Sequence, residues 1–316
     1  MLWFFSIFFI FTMGCFVKKL FPRIFLLCLI LFSSLSATAQ NSFTPCQITD
    51  STLPIESGVI KYFKVGSGQP LILLHGLFAQ KEQWLDFACE MSRRGYAVFA
   101  PDLPGYGQST GFSIESYALN QEVLFIHQFV QNLGLHKPHI VGNSMGGTIA
   151  ALYSEQYPDD MKSLGFIGAP LGIVDWSQQI KSAILKGINP FIPITVSQFD
   201  LEMSLLFYKP PTLSNEVKQS AVNGYVSNNL QYQQIWNIVN LDLMVLDQKK
   251  KSMKPTFIAW GMHDGVFNVS GKRFLDERFP NGLSLTISDA AHLIMLENPK
   301  EIADQYLTFL NSLPAN

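Results

Sequence analysis

A chain of 316 residues can enclose one large core, and with 15% charged residues and a formal net charge of -2 it offers no basic surface for gripping nucleic acid. No internal repeat, no Cys or His cluster with metal-ligand spacing, and neither a G-x-G-x-x-G nor a Walker pattern occurs, so neither metal nor nucleotide cofactor is expected. The basic cluster Lys249-Lys250-Lys251 with Lys254 reads as a solvated helix end before a strand.

Residues 1–39 differ from the rest and contain no acidic side chain. From Met13 onward, Lys18, Lys19 and Arg23 precede the apolar run Ile24 to Phe32, and Ser-rich sequence ends in Ala37-Thr38-Ala39. This layout predicts a secretory leader cut after Ala39, with Met13 as the start or residues 1–17 as an added membrane-seeking segment. The alternative is an uncleaved anchor, for which Ile24 to Leu35 is short of the roughly twenty residues a span needs. The protein is therefore expected to be exported, periplasmic or secreted, or to be held at a membrane by this segment. Cys15 and Cys28 fall in the leader. Cys46 and Cys89 remain, and the sequence leaves open whether they pair or stay as thiols.

Residues 40–57 read as a linker without periodicity. Strands are then predicted at Gly58 to Val65, Leu71 to Leu74, Ala97 to Ala100, His139 to Val141, Leu164 to Ile167, Thr256 to Trp260 and Ser284 to Ile287. Most are short apolar runs with little alternation, as expected of strands covered on both faces. Helical periodicity separates them, from Ser113 to Gly134 and again over Lys300 to Leu313, where Asn298-Pro299 marks the start. This alternation predicts an α/β fold with a mostly parallel, doubly wound sheet built from residues 58–173 and 254–316. Residues 174–253 break the pattern. They are helical, rich in Met, Phe, Tyr and Leu, and interrupted by Asn189-Pro190, Ile192-Pro193 and Pro210-Pro211. They are expected to form a helical cap over the carboxyl ends of the strands, where ligands of open α/β sheets bind.

The chemistry starts at Gly142-Asn143-Ser144-Met145-Gly146, which joins the strand ending at Val141 to a helix beginning near Thr148. In such a turn a serine is held clear of the sheet, glycines on either side allow the close crossing, and the amide after the serine opens a helix. Ser144 is the candidate nucleophile, Gly142 and Gly146 its supports, and Met145 one oxyanion donor. A serine at its free pKa needs a base and an acid that orients it. Of six histidines only His263 and His292 follow Ser144, and His292 lies just after the last predicted strand, so His292 is the expected base. Asp264, at the end of the strand Thr256 to Trp260, is the expected acid, with His263 a loop residue beside it. Asp175, Asp200, Asp242 and Asp247 fall in the predicted cap, and Asp289 and Asp102 read as loop organisers. The second oxyanion donor is placed at Leu77, after the strand Leu71 to Leu74, with Gly76 allowing close approach and His75 bracing the loop.

Five motifs in this order, Leu74-His75-Gly76, Pro101 to Ser109, Gly142 to Gly147, Trp260 to Asp264, and Ala291-His292 before Glu297-Asn298-Pro299, resemble those of the α/β-hydrolase superfamily from about residue 58 onward. Within it the chain looks most like capped lipases and esterases akin to membrane-associated monoacylglycerol lipases. The resemblance implies an acyl-ester hydrolase for a small apolar ester or lipid, associated with a membrane. Alternatives are a carbon–carbon bond hydrolase of ring-cleavage products, which can carry the same elbow, and a non-catalytic module that binds an apolar ligand.

Overall fold

The computed structural model describes residues 46–241, 246 and 251–314. The expected leader, residues 40–45 of the linker, and Asp242 and Asp247 lie outside the described residues. The strands are β1 (Thr49–Ile55), β2 (Gly58–Val65), β3 (Gln69–Leu74), β4 (Tyr96–Pro101), β5 (His139–Ser144), β6 (Ser163–Pro170), β7 (Thr256–Gly261) and β8 (Gly282–Ile287). They form one sheet in the order β1-β2-β4-β3-β5-β6-β7-β8. β1, β2 and β4 pair antiparallel, and every neighbour from β4 to β8 is parallel.

The unbroken apolar runs of the central strands follow from cover on both faces. Successive side chains point to opposite faces. Ile72 and Leu74 of β3, Phe99 of β4 and Ile258 of β7 enter one core with α2 (Leu119–Asn132), α3 (Met145–Gln156) and α8 (Lys272–Arg278). Leu71, Leu73, Val98 and Phe257 enter the other core, with α1 (Leu85–Arg93) and α10 (Pro299–Asn311). A separate four-residue helix, α9 (Ile294–Glu297), precedes α10.

Between β6 and β7 lie four more helices: α4 (Gln178–Leu185), α5 (Val196–Leu206), α6 (Asn215–Ser227) and α7 (Asn229–Leu241). Ser177, Thr195 and Ser214 cap the first three through their hydroxyls, which accept the amides of Ile180, Gln198 and Val217. Ile180, Leu205, Ile235 and Val239 root this insert in the first core. Among the described residues no helix is long and apolar enough to cross a membrane.

Two features depart from, or complete, the reading of the sequence. The linker assignment for residues 40–57 fails over Thr49–Ile55, which pairs with β2 along its whole length. β1 is an edge strand in which half-buried Ser51, Leu53 and Ile55 alternate with exposed Asp50, Thr52 and Pro54. An edge covered on one face tolerates polar residues and proline, and so leaves little strand signature. Cys46 and Cys89 form a disulfide with their Cα atoms 5.6 Å apart, fastening the chain ahead of β1 to α1.

Candidate active site

β5 delivers Ser144 at the carboxyl edge of the sheet, where its backbone turns to φ 52° before α3 begins. A Cβ at Gly142 would lie 2.1 Å from the carbonyl carbon of Gly146, and one at Gly146 only 2.2 Å from the Leu74 oxygen. No side chain fits either position, so the crossing depends on both glycines. Met145 is the first residue of α3, where an amide has no acceptor within the helix. Its side chain is buried, and its sulfur accepts the Tyr106 hydroxyl at 3.4 Å.

The loop after β3 lies against this turn. A Cβ at Gly76 would stand 3.1 Å from the Ser144 Cβ, and Leu77 follows directly. Phe78, at φ 54°, turns its ring onto Tyr106 and onto Tyr232 of α7. His75 is fully buried: its Nε2 accepts the Leu103 amide at 3.0 Å, which leaves Nδ1–H to donate to the Gly76 carbonyl at 2.9 Å. Asp102, also fully buried, accepts the Lys81 amide, the Lys81 ammonium and the Gln108 amide. His75 thus joins the loop after β3 to the segment after β4, and Asp102 joins that segment to Lys81.

Asp264 and His292 come together from the loops after β7 and β8. The imidazole Nδ1–H donates to Asp264 Oδ2 at 2.9 Å, with both side chains almost wholly enclosed. The other carboxylate oxygen accepts the Val266 and Phe267 amides at 2.8 and 3.0 Å, which fixes its direction. The remaining candidates stand elsewhere. His263 stacks on Tyr208, Asp175 and Asp200 pair with Lys181 and Lys218, and His139 meets Ser163 inside the sheet. Asp289 lends its backbone carbonyl to Asn298 in the His292 loop.

Three supports carried no assigned role in the sequence. Asn143 donates from Nδ2 to the carbonyls of Ile167 and His292, tying the elbow to β6 and to the histidine loop. The last carbonyls of α5 accept from both loops: Leu205 takes the Gly265 amide, and Leu206 takes the amides of His292 and Leu293. Glu297 accepts the Ala291 amide on Oε2 and the Tyr208 and Lys209 amides on Oε1. Asn143 and Glu297 were visible inside their motifs. The α5 carbonyls carry no residue-type signal at all.

Burial lowers the His75 pKa from 6.5 to about 4. The unfolded chain takes up this proton near pH 6.5 and the folded chain only near pH 4, so stability falls as pH drops through that window. A His75→Gln variant has no such proton to refuse. Its destabilisation in urea unfolding is therefore expected to shrink by about 3 kcal/mol between pH 7 and pH 4. A cost that stays constant with pH would contradict a neutral, buried imidazole.

A family model described as the alpha/beta hydrolase fold matches residues 69–189 and 206–299, a span that holds Gly76, Ser144, Asp264, His292 and Glu297. The chain is 30% identical over 262 residues to monoacylglycerol lipase ABHD6 of Bos taurus, covering 78% of this chain and 77% of that one. It is 27% identical over 256 residues to Lipase 3 of Moraxella sp. (strain TA144), covering 78% and 79% of the two chains. Among solved structures, a bacterial membrane phospholipase A superposes with a TM-score of 0.78 at 24% identity, over 96% of this chain and 95% of the other, a likeness of fold. With the sheet order, the elbow and a matching span that runs from β3 to Pro299, the chain belongs to the alpha/beta hydrolase fold family.

Proposed function

We propose that the protein hydrolyses carboxylic esters of lipids, monoacylglycerol foremost, through an acyl-enzyme on Ser144. The observation that carries this reading is the His292–Asp264 hydrogen bond of 2.9 Å in a loop that Asn143 ties to the elbow, where Ser144 is held at positive φ. Because Nδ1–H is committed to Asp264, Nε2 is left to take the Ser144 proton as Oγ bonds to the ester carbonyl carbon. The oxyanion is received by the amides of Met145 and Leu77. Collapse expels the alcohol, which takes its proton from Nε2. Water, deprotonated by the same nitrogen, then attacks the acyl carbon, and Ser144 leaves with the proton as the acid is released. The relatives named as monoacylglycerol lipase and lipase support a lipid ester as substrate. A module that only bound an apolar ligand would have no use for a strained serine beside an oriented imidazole.

The insert also carries an opening edged by apolar side chains. A cleft of about 450 Å³ opens among α4, α5, α6 and α7, lined in part by Ile184, Ile192, Ile194, Val226 and Trp236. Ile184, Ile194 and Val226 are 41%, 54% and 51% exposed, and Leu185 beside them 86%. Apolar side chains around the mouth of a cleft suit a lipid surface that delivers the substrate. Export is supported by the Cys46–Cys89 disulfide, a bond that persists in oxidising compartments.

Ser144→Ala is expected to abolish covalent labelling by a fluorophosphonate and release of fatty acid from monoacylglycerol; labelling that persists at this site would sink the assignment. Asp264→Asn should lower kcat by about ten-thousandfold in a folded protein, since the imidazole loses its oriented tautomer. Glu297→Ala releases the Ala291 amide just before His292 and the Tyr208 and Lys209 amides after α5. A loss of up to about a hundredfold in kcat with little change in KM is expected, and an unchanged kcat would remove Glu297 from the positioning groups. Replacing Leu185, Ile194 and Val226 together by Ser should slow hydrolysis of vesicle-borne monoacylglycerol by about tenfold relative to a soluble short-chain ester. Equal slowing on both would speak against a lipid-facing mouth.

A further inference from the structure

The two amides assigned to the oxyanion belong to different elements, Met145 to the start of α3 and Leu77 to the loop after β3, so one must be fixed relative to the other. Tyr106 reaches both elements. It belongs to the stretch after β4 that closes on Asp102 through the Gln108 amide and the Ser109 hydroxyl, and it is only 3% exposed. The Tyr106 amide donates to the Leu103 carbonyl at 3.0 Å and the Tyr106 carbonyl accepts the Ser109 amide at 3.2 Å, so the backbone that carries the ring is held on both sides.

Toward the loop of Leu77 the contact is made by the ring. It meets His75 edge-on with 5.1 Å between centroids, and Phe78 stands 6.4 Å away, so the two residues that bracket Gly76-Leu77 both face it. His75 Nδ1–H donates to the Gly76 carbonyl, which shares one planar peptide with the Leu77 N–H. Holding that carbonyl toward His75 turns the Leu77 N–H the opposite way, because the two groups of a trans peptide are antiparallel.

Toward α3 the contact is made by the hydroxyl, which donates to Met145 Sδ at 3.4 Å inside a fully buried packing. A methionine side chain has three rotatable bonds and adapts to several packings, so an anchor on its sulfur removes freedom that packing alone leaves. Side chain and amide share the Met145 Cα, and fixing the former restricts the rotation that would turn the latter. The hydroxyl is costly to keep. A thioether is a weak acceptor, and phenylalanine would fill the same space without burying a polar group. Burial holds the phenol well above its ordinary pKa, so it keeps its proton and remains a donor.

We propose that Tyr106 is a positioning residue of the oxyanion site: anchored by its ring on the loop of Leu77, it fixes the Met145 amide through the bond from its hydroxyl to the Met145 sulfur. This role rests on the ester-hydrolase reading of Ser144. A donor slightly out of place is missed only once charge gathers on the carbonyl oxygen, so cutting the link weakens the transition state and leaves substrate binding as it was.

The link is cut from each end in turn. Tyr106→Phe keeps the ring and loses the donor; Met145→Leu conserves volume, keeps the amide and loses the acceptor. Each is expected to lower kcat on an acyl ester by about tenfold at unchanged KM, and to weaken by the same factor the binding of an alkylboronic acid, whose adduct with Ser144 is tetrahedral and negatively charged. Because both variants cut one link, the double variant should be no worse than either alone. An unchanged kcat in either variant overturns the proposal, as does a loss confined to KM, a boronic acid affinity that does not follow kcat, or a double variant whose loss is the product of the two. Where Tyr106→Phe does not fold, Met145→Leu decides by the same kcat and boronic acid criteria. A wild-type chain that neither cleaves esters nor labels with a fluorophosphonate removes the hydrolase reading and the positioning role with it; a wild type that does both and is matched in kcat by Tyr106→Phe overturns the role of Tyr106 alone.

Discussion

The passage from β5 into α3 brings two backbones closer than any side chain allows, with 2.1 Å between a Cβ at Gly142 and the Gly146 carbonyl carbon. That closeness forces Ser144 to φ 52°, a conformation costing about 1–3 kcal/mol for a residue with a Cβ. It persists because the surroundings determine it several times over. The Leu171 amide donates to the Ser144 carbonyl, Thr148 donates to Leu171, and Asn143 is bonded to both β6 and the histidine loop. The pairing of β5 with β6 shifts register between Gly142 and Ser144, which marks where the strand gives way to the turn. The elbow is thereby held against the loop after β3, through the close approach of Gly76, and against the loop after β8, through Asn143.

Those loops depend in turn on the insert. Ser177, at the entrance to α4, donates its hydroxyl to the Gly265 carbonyl and its amide to Val266, and the end of α5 holds Gly265, His292 and Leu293. Both anchors grip the residues beside Asp264, so a motion that carried α5 away would release the loops of Asp264 and His292 together. The helices α6 and α7 are tied differently. They reach the core through side chains, as when Gln231 donates to the Gly105 carbonyl and Tyr232 rests on Phe78. A displacement confined to α6, α7 and the 187–194 connection would therefore leave the backbone bonds to the loops of Asp264 and His292 in place.

What the sequence made legible was chemistry that needs a particular residue type at a particular place. Glycines flanking Ser144, a histidine after the last parallel strand and an acid after the one before it each leave a local mark, and their order along the chain supplied the sheet that brings them together. β1 was missed because an exposed edge asks little of its residues. The disulfide was open because the approach of Cys46 to Cys89 is a tertiary fact. The α5 carbonyls are backbone atoms, which any residue would provide. Glu202 is the sharpest case: a glutamate in a helix ordinarily reads as solvated, and only its 3% exposure and its bond from Tyr225 reveal it as enclosed.

That enclosure alters the picture of the insert as a uniformly greasy cover. Aromatic rings run from His292 through Phe267 and Trp176 to Trp236 at the cleft. Beyond Phe78 the insert instead carries Tyr232, Tyr225 and the buried carboxyl of Glu202, which accepts the Tyr225 hydroxyl. Burying a carboxyl costs stability that an all-apolar packing would not, so the insert is held by more than hydrophobic contact: its hydroxyl caps, the Ser177 bonds and the α5 carbonyls fix it to the loops after β7 and β8.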